Sequence, residues 1–411
     1  MKIETLQQQG LEATRYMERY VNNVKPGTHS DWSETNIDYS PHEGISEFPV
    51  PVFGIKPEEA TILLSNPDRN LIREVIGKDV VRFFVHPDMA NDPKYLDIAG
   101  IDPDSRLDEI YMVTPTASTR TLLTKDRKSN FMIKTDLDRK HYRFIRRLKG
   151  SSVDHSIRIS RELERVARED DASEYAFLPE SLGVVLNDGE DGAGVLFREV
   201  VPRPFASDAR VLIPYFSLYA DDLKNPDDLP LLIQLVRKNA DAGGEMQFLT
   251  DQILGKIVRN WTHFATQYGL LLELHGQNTM LEIDESFRPQ RIVHRDFQSI
   301  YVDRQIRERN GLDLPFRKHI VGEEAGTDRP RQFSIVYDHQ VGDYLFDRLI
   351  NTFRRYYPEY SYKDISSRVS QIFRQGFPDW REVFPEETYT YGQQIGNEVN
   401  LVPKHLEPIF R

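Results

Sequence analysis

At 411 residues the chain is long enough to bury a substantial core and to divide into two or three domains. Hydrophobic residues make up 39% and charged residues 29%, the mix of a globular protein, and 53 Lys+Arg against 65 Asp+Glu give a net charge of −12, a poor match for nucleic acid or anionic lipid. There is no cysteine, which excludes disulfides, thiolate metal sites and a cysteine nucleophile and fits a reducing cytoplasm.

The first residues, MKIETLQQQGLEATRYMERY, are polar and amphipathic and lack the apolar stretch of a signal peptide. No apolar run reaches the length of a bilayer span, so a soluble, cytoplasmic protein is expected, with no membrane or nucleic-acid partner. The spacing of Ile3, Leu6, Leu11, Met17 and Tyr20 predicts a helix over 3–23. From Pro26 to Pro57, prolines, glycines and serines predict loop with short strands. Strands are predicted at VVRFFVHP (80–87), IYMVTPTAS, FMIKTDL and HYRFIRRL, the last two as hairpin neighbours turning around Asp138 to Lys140. Helical spacing returns in SSVDHSIRISRELERVARED through Ile159, Leu163 and Val166, with Ser151 and Ser152 as caps. GVVLNDGEDGAGVLFREV reads as a hairpin around a Gly/Asp turn. From about residue 206 the pattern is mostly helical, as in Ile257, Trp261, Phe264, Tyr268 and Leu271, and again in Leu345, Leu349, Phe353 and Tyr356. A strand-rich middle followed by a helix-rich half is an α+β arrangement.

VHRDF, residues 293–297, raises the possibility of a kinase catalytic loop. Such a loop needs a metal-binding Asn five residues after its Asp, and Tyr301 stands there instead. No Asp-Phe-Gly follows, and GEDGAG (189–194) suits a hairpin turn better than a phosphate loop. HGQN, residues 275–278, lies shortly upstream. Its imidazole and two amides, with the Asp296 carboxylate, suit a phosphate and a divalent cation if they converge at one end of a sheet; they equally suit an ordinary polar strand end.

A second group lies earlier. Ser118, Thr119, Arg120 and Thr121 set hydroxyls beside a guanidinium, a clamp for phosphate oxygens. Lys134 follows Phe131, Met132 and Ile133, where a lone ammonium is costly unless something negative meets it. Arg146 adds another cation on the next strand. These residues suggest an anion pocket; a basic edge that blunts the sheet is the other reading, since Arg139, Lys140, Arg143, Arg147 and Lys149 are close by.

In order, VHP (85–87), PTASTRT (115–121), FMIK (131–134), FIR (144–146), the HSIRIS helix start, LFRE (196–199), ELHGQN (273–278) and Arg295-Asp296 resemble the siderophore synthetases that work without peptide-synthetase modules, of the aerobactin synthetase type. The resemblance implies a cupped-hand α+β fold: a reduced thumb over 1–78, β-rich fingers with an antiparallel sheet over 79–205, and a mainly helical palm over 206–411, with ATP between fingers and palm. It implies an ATP- and Mg²⁺-dependent ligase that adenylates a citrate-like or other carboxylate, releases pyrophosphate, and passes the acyl group to an amine or hydroxyl with loss of AMP. By position, Ser118, Thr119, Arg120 and Thr121 would hold the ATP phosphates and Lys134 would meet the α-phosphate. Arg146 and His275 would grip the acid, and Gln277, Asn278 and Asp296 would complete the phosphate site, with Gln277 and Asp296 on Mg²⁺.

The chain departs from that family in its short thumb, in the missing His-Pro-x-His-Pro signature (SPHEG, 40–44, is a remnant at best) and in Tyr142, where the family has Thr and which narrows the expected acid pocket. Related enzymes often dimerise, which leaves a homodimer open. Two other functions stay open: a small-molecule phosphotransferase with Asp296 as base, and a nucleotide-binding pseudo-enzyme. His86 reads as structural, Arg198 and Glu199 as a structural ion pair or neighbours of ATP, and Glu273, alternating with Leu272 and Leu274, as solvent-facing.

Overall fold

The computed structural model describes residues 1–22, 34–125, 130–141, 144–170, 174–187, 192–206, 210–323, 327–395 and 398–411. Tyr142 and the 188–191 part of the predicted Gly/Asp turn lie outside them.

Two sheets organise the chain. The first has seven antiparallel strands in the order Phe48–Val50, Tyr111–Pro115, Thr121–Thr124, Phe131–Lys134, Gly194–Glu199, Glu180–Leu186 and Ala60–Leu64. Strand alternation sorts its side chains. Phe131, Ile133, Val195 and Phe197 enter one apolar core with Phe53, Phe83 and Phe84. Met132 and Lys134 pair in register with Arg198 and Leu196, so all four leave by the opposite face.

The second sheet runs Tyr175–Phe177, Pro289–His294, Thr279–Ile283 and Val211–Pro214, with the first pair parallel. Phe177, Ile292, Leu281 and Ile213 point into the larger core, among the helical runs that contain Trp261, Tyr337 and Phe353. Ala176, Val293, Met280 and Leu178 lie on the other face, with Leu212 against them. Between the sheets lies a cavity of about 280 Å³ lined by Met132, Leu178, Leu212 and Met280 and flanked by Gly10, Leu11 and Thr14.

Helix Gly150–Glu169 ties the opposite face of the first sheet to the larger core. Val153 and Ile157 pack on Val185 and Leu196 of the first sheet, while Ile159, Leu163 and Val166 reach the larger core. Gly183 and Gly194 permit this approach: a Cβ on them would lie 2.3 Å and 2.6 Å from the Val153 methyls.

Several expectations change. The 3–23 helix is two, Glu4–Gln9 and Leu11–Tyr20, because Gly10 adopts φ +48° between them. Phe131–Lys134 does not pair with the HYRF segment. Its neighbours are Thr121–Thr124 and Gly194–Glu199, and the hairpin forms one element later, between Leu137–His141 and Phe144–Arg146. The N-cap of Gly150–Glu169 is Lys149, without a side-chain cap bond; Ser152 instead accepts a hydrogen bond from Lys318. The second half carries three strands of the four-stranded sheet as well as its helices, and Tyr175–Phe177 supplies the fourth. The first 78 residues divide between the cores: Leu6 and Met17 join the larger one, Phe48 to Val75 the smaller.

Candidate active site

Lys134 ends its strand on the face turned toward the second sheet, and Asp296 stands just past strand Pro289–His294 at φ +68°, a left-handed backbone uncommon for a residue with a side chain. That turn brings the two together: Lys134 Nζ donates to Asp296 Oδ1 at 2.5 Å, across 162 residues of sequence. Arg198 Nη2 lies 3.7 Å from the other carboxylate oxygen and donates to Glu180 Oε1 at 2.5 Å. Glu180 Oε2 in turn accepts from the Phe297 backbone at 3.2 Å. Lys134 is 2% exposed, whereas Asp296 keeps a quarter of its side chain in solvent. Burial draws Lys134 below its ordinary value, with Asp296 opposing. Burial would raise Asp296, but Lys134 and Arg198 outweigh it and hold the carboxyl far below the usual range.

The Ser118–Thr121 segment is a tight turn: Thr119 has φ +50°, Thr116 Oγ1 donates to the Thr121 carbonyl at 2.8 Å, and Thr121 Oγ1 lies 3.4 Å from Ser118 Oγ. Arg120 Nη1 donates to the Arg146 carbonyl at 2.7 Å and to that of Arg147 at 3.3 Å, and Nη2 donates to Gln298 at 3.1 Å. Arg120 thus ties strand Phe144–Arg146 to the turn beyond Asp296. Burial, with Arg146 nearby, lowers it to about 10, so it remains charged.

HGQN follows the short strand Leu270–Leu271 and turns into Thr279–Ile283. His275 Nδ1 accepts from the Gln277 backbone at 3.2 Å, which leaves the proton on Nε2, 4.0 Å from Glu273. Burial pulls His275 down to about 4, with Asp296 opposing and Arg295 and Arg146 reinforcing, so the ring is neutral. Asn278 donates to Glu273 Oε2 at 3.0 Å. The Gln277 carbonyl accepts from Arg295 Nε at 2.7 Å, and Arg295 also pairs with buried Glu18 of helix Leu11–Tyr20. Glu18 Oε2 accepts from the Ala117 backbone at 3.0 Å, so one carboxylate braces both the Ser118 turn and the HGQN turn.

Glu273 corrects the solvent-facing expectation. Its strand ends at Leu271, so alternation no longer applies, and its carboxyl lies among Asn278, Gln340 and His275. Burial and Asp296 push it up to about 8. Arg198 and Glu199 do not pair with each other: Arg198 takes Glu180 and Asp296, and Glu199 takes Arg203. His86 is fully buried, its Nδ1 accepting from the Asp88 backbone, a structural placement. Sequence reasoning missed Glu18, Glu180, Gln298 and Gln340. A short-range motif flags none of them, because each acts on a residue distant in sequence.

Among the described residues no group of three or more His, Asp or Glu side chains could by itself hold a metal ion. Mg²⁺ is usually bound through one or two carboxylates together with substrate phosphates and water, and the ionised, partly exposed Asp296 is a carboxylate of that kind. No helix among the described residues is long and apolar enough to cross a membrane.

Residues 107–220 match the IucA / IucC family, and residues 248–358 match a family described as ferric iron reductase FhuF-like transporter. The first span holds Ser118 to Arg146 and Arg198, the second the HGQN turn and Asp296. No curated protein matches. Among solved structures, petrobactin biosynthesis protein AsbB of Bacillus anthracis str. Sterne superposes with a TM-score of 0.66 at 18% identity, over 89% of this chain and 68% of that one. Aerobactin synthetase IucC from a hypervirulent pathotype of Klebsiella pneumoniae gives 0.62 at 17%, over 84% and 65%. ATP-bound aerobactin synthetase IucA from the same source gives 0.64 at 14%, over 92% and 74%. At such identities the likeness establishes the fold, and with the IucA / IucC match it bears out the resemblance read from the motifs.

Proposed function

From a chain with the IucA / IucC match and the fold of the aerobactin synthetases, we propose an ATP- and Mg²⁺-dependent ligase that adenylates a carboxylate and condenses it with an amine or hydroxyl, in the making of a siderophore or related metallophore. The observation that carries this reading is the cation cluster: Lys134, Arg198 and Arg120 gather around Asp296, and Arg146 lies beside Arg120 and His275, in a protein of net charge −12. Its neighbour is the cavity between the sheets, whose apolar walls Met132, Leu178, Leu212 and Met280 suit the flat face of adenine and which Arg210, Glu282 and Arg291 also line.

In this reading Ser118, Thr119, Thr121 and Arg120 bind the phosphates and Lys134 meets the α-phosphate, whose negative charge grows as the acid's oxygen attacks. The new bond joins that oxygen to the α-phosphorus, and the bond to pyrophosphate breaks. Arg146 and neutral His275 orient the acid, His275 as an Nε2–H donor. Asp296 and Gln277 would hold Mg²⁺, which would supply neutralisation of the phosphate charge. Asn278 holds Glu273 in place. Fixed donors aimed at developing charge typically contribute about 10² to 10³ each in rate.

The phosphotransferase reading requires Asp296 to accept a proton, and a carboxylate held so low by Lys134 and Arg198 is a weak base. Nucleotide product analysis separates the possibilities: purified protein, ATP and Mg²⁺ are incubated with hydroxylamine and a panel of di- and tricarboxylates. AMP, pyrophosphate and a hydroxamate that depend on one acid support the ligase. ADP would reverse the assignment of Asp296, and ATP binding without turnover would mark a pseudo-enzyme.

A further inference from the structure

Helix Asp347–Tyr356 sets Arg348, Asn351, Thr352 and Arg355 on one face, because residues three, four and seven apart stack along an α-helix. That face, with Arg354, lines a cavity of about 680 Å³, which Tyr219 and Asp221 line from the end of helix Tyr215–Tyr219 and just beyond it. Lys134, Arg198, Arg120 and Arg146 take no part in it, so the cavity stands apart from the cations around Asp296. Tyr219 runs from this cavity to the HGQN turn, its hydroxyl 2.5 Å from where a Cβ on Gly276 would lie.

Neutral acceptors hold these guanidiniums. Arg354 Nε donates to the Tyr360 carbonyl at 3.2 Å, and Arg355 Nη2 donates to Thr352 Oγ1 at 3.2 Å. Among the described residues, none of Arg348, Arg354 and Arg355 lies within ion-pair distance of a carboxylate. Asp347, the neighbour of Arg348, accepts from the Tyr362 hydroxyl, and Asp221 pairs with none of the arginines. The cavity thus gathers three positive charges against one negative, in a chain whose acids outnumber its bases by 65 to 53. A helix dipole favours cations in the last turn, which accounts for Arg354 and Arg355 but not for Arg348, two turns earlier. Like charges gathered at one wall repel each other, and a bound anion relieves that repulsion.

We propose that this cavity is a second anion site, built for a small oxyanion with two or three negative charges. A polycarboxylate and a phosphate share that chemistry, since the planar fork of an arginine matches the oxygens of either. The Asn351 amide adds a neutral donor between Arg348 and Arg355. Both of those arginines are exposed, so a ligand reaches them from solvent. The site stands whether or not the chain is a ligase.

The test is calorimetric titration of citrate and, separately, of inorganic phosphate into the full chain at low ionic strength without Mg²⁺. Wild type is compared with Arg348→Gln/Arg355→Gln, with Asn351→Asp and with Lys134→Gln/Arg146→Gln. At least one anion is expected to bind wild type and to lose about tenfold or more in the double arginine variant and in Asn351→Asp. It should keep its affinity in Lys134→Gln/Arg146→Gln, which removes cations of the ligase site. The tighter of the two anions names the ligand class. Asn351→Asp leaves every arginine in place, so it keeps the idea testable should the double arginine variant fold poorly. No binding of either anion, or binding indifferent to residues 348, 351 and 355, would overturn the proposal. Binding lost only with Lys134 and Arg146 would put the anion in the ligase site and overturn the second site alone.

Discussion

Lys134 is a cation for which its own strand has no use, flanked as it is by Phe131, Met132 and Ile133. The sequence made the need for a negative partner legible, because a lone buried ammonium is costly. It also offered Asp296 as a site residue, but nothing at short range joined the two; the left-handed turn at Asp296 does. The solvent-facing reading of Glu273 fails for the opposite reason, since the residue lies two positions beyond the end of the strand, where alternation no longer holds. Lys134→Ala and Arg146→Ala are each expected to lower acid-dependent AMP formation by about 10² or more, measured at saturating ATP. A near-normal rate in either would remove that residue from the chemistry. The paired control is Lys134→Gln: it keeps most of the volume, so a loss as deep as that of Ala identifies charge rather than packing.

Hairpins and helices were easier to read than their partners. The Glu180–Leu186 and Gly194–Glu199 hairpin was visible because its two Val/Leu runs flank a Gly/Asp segment. The pairing of FMIK was not, because an apolar strand carries no mark of which strand it joins, and the choice fell to packing against Leu123 and Phe197. Gly183, at the head of the hairpin's first run and outside the predicted Gly/Asp turn, is there to admit helix Gly150–Glu169. Gly183→Ala would push a methyl into Val153, and overpacking of this kind costs about 1 to 3 kcal/mol in a well-packed core. Urea melts should show that loss, and Val153→Ala in the same chain should recover part of it. Strict additivity of the two changes would mean that the contact does not govern the packing.

At the scale of the whole molecule, the site exists because distant segments are held in register, and acid should loosen that hold. His86, His155 and His294 are lowered to about 3 and His275 to about 4, all through burial. Below about pH 6.5 the unfolded chain binds protons that these folded imidazoles refuse. Their contribution is therefore complete above that pH and is lost as pH falls toward the folded values, at up to about 1.4 kcal/mol per pH unit for each histidine. Glu273, raised to about 8, acts in the opposite sense, losing its contribution as pH climbs from its ordinary value of 4.5. Urea midpoints should thus fall between pH 6.5 and 5; a flat profile would show that these imidazoles are not kept neutral. Glu18 offers the sharper test of how the parts are joined. It pairs with Arg295 of the second sheet's turn and accepts from Ala117 beside Ser118, all from a helix that no motif marks. Removing one partner of a buried ion pair costs about 3 to 5 kcal/mol, and Glu18→Gln keeps the shape while removing the charge. If Glu18 braces both halves of the phosphate site, that variant should lose stability and ATP affinity together. Loss of stability with ATP binding intact, compared at a urea concentration where both proteins are folded, would reduce Glu18 to a structural residue and leave each half to hold its own geometry.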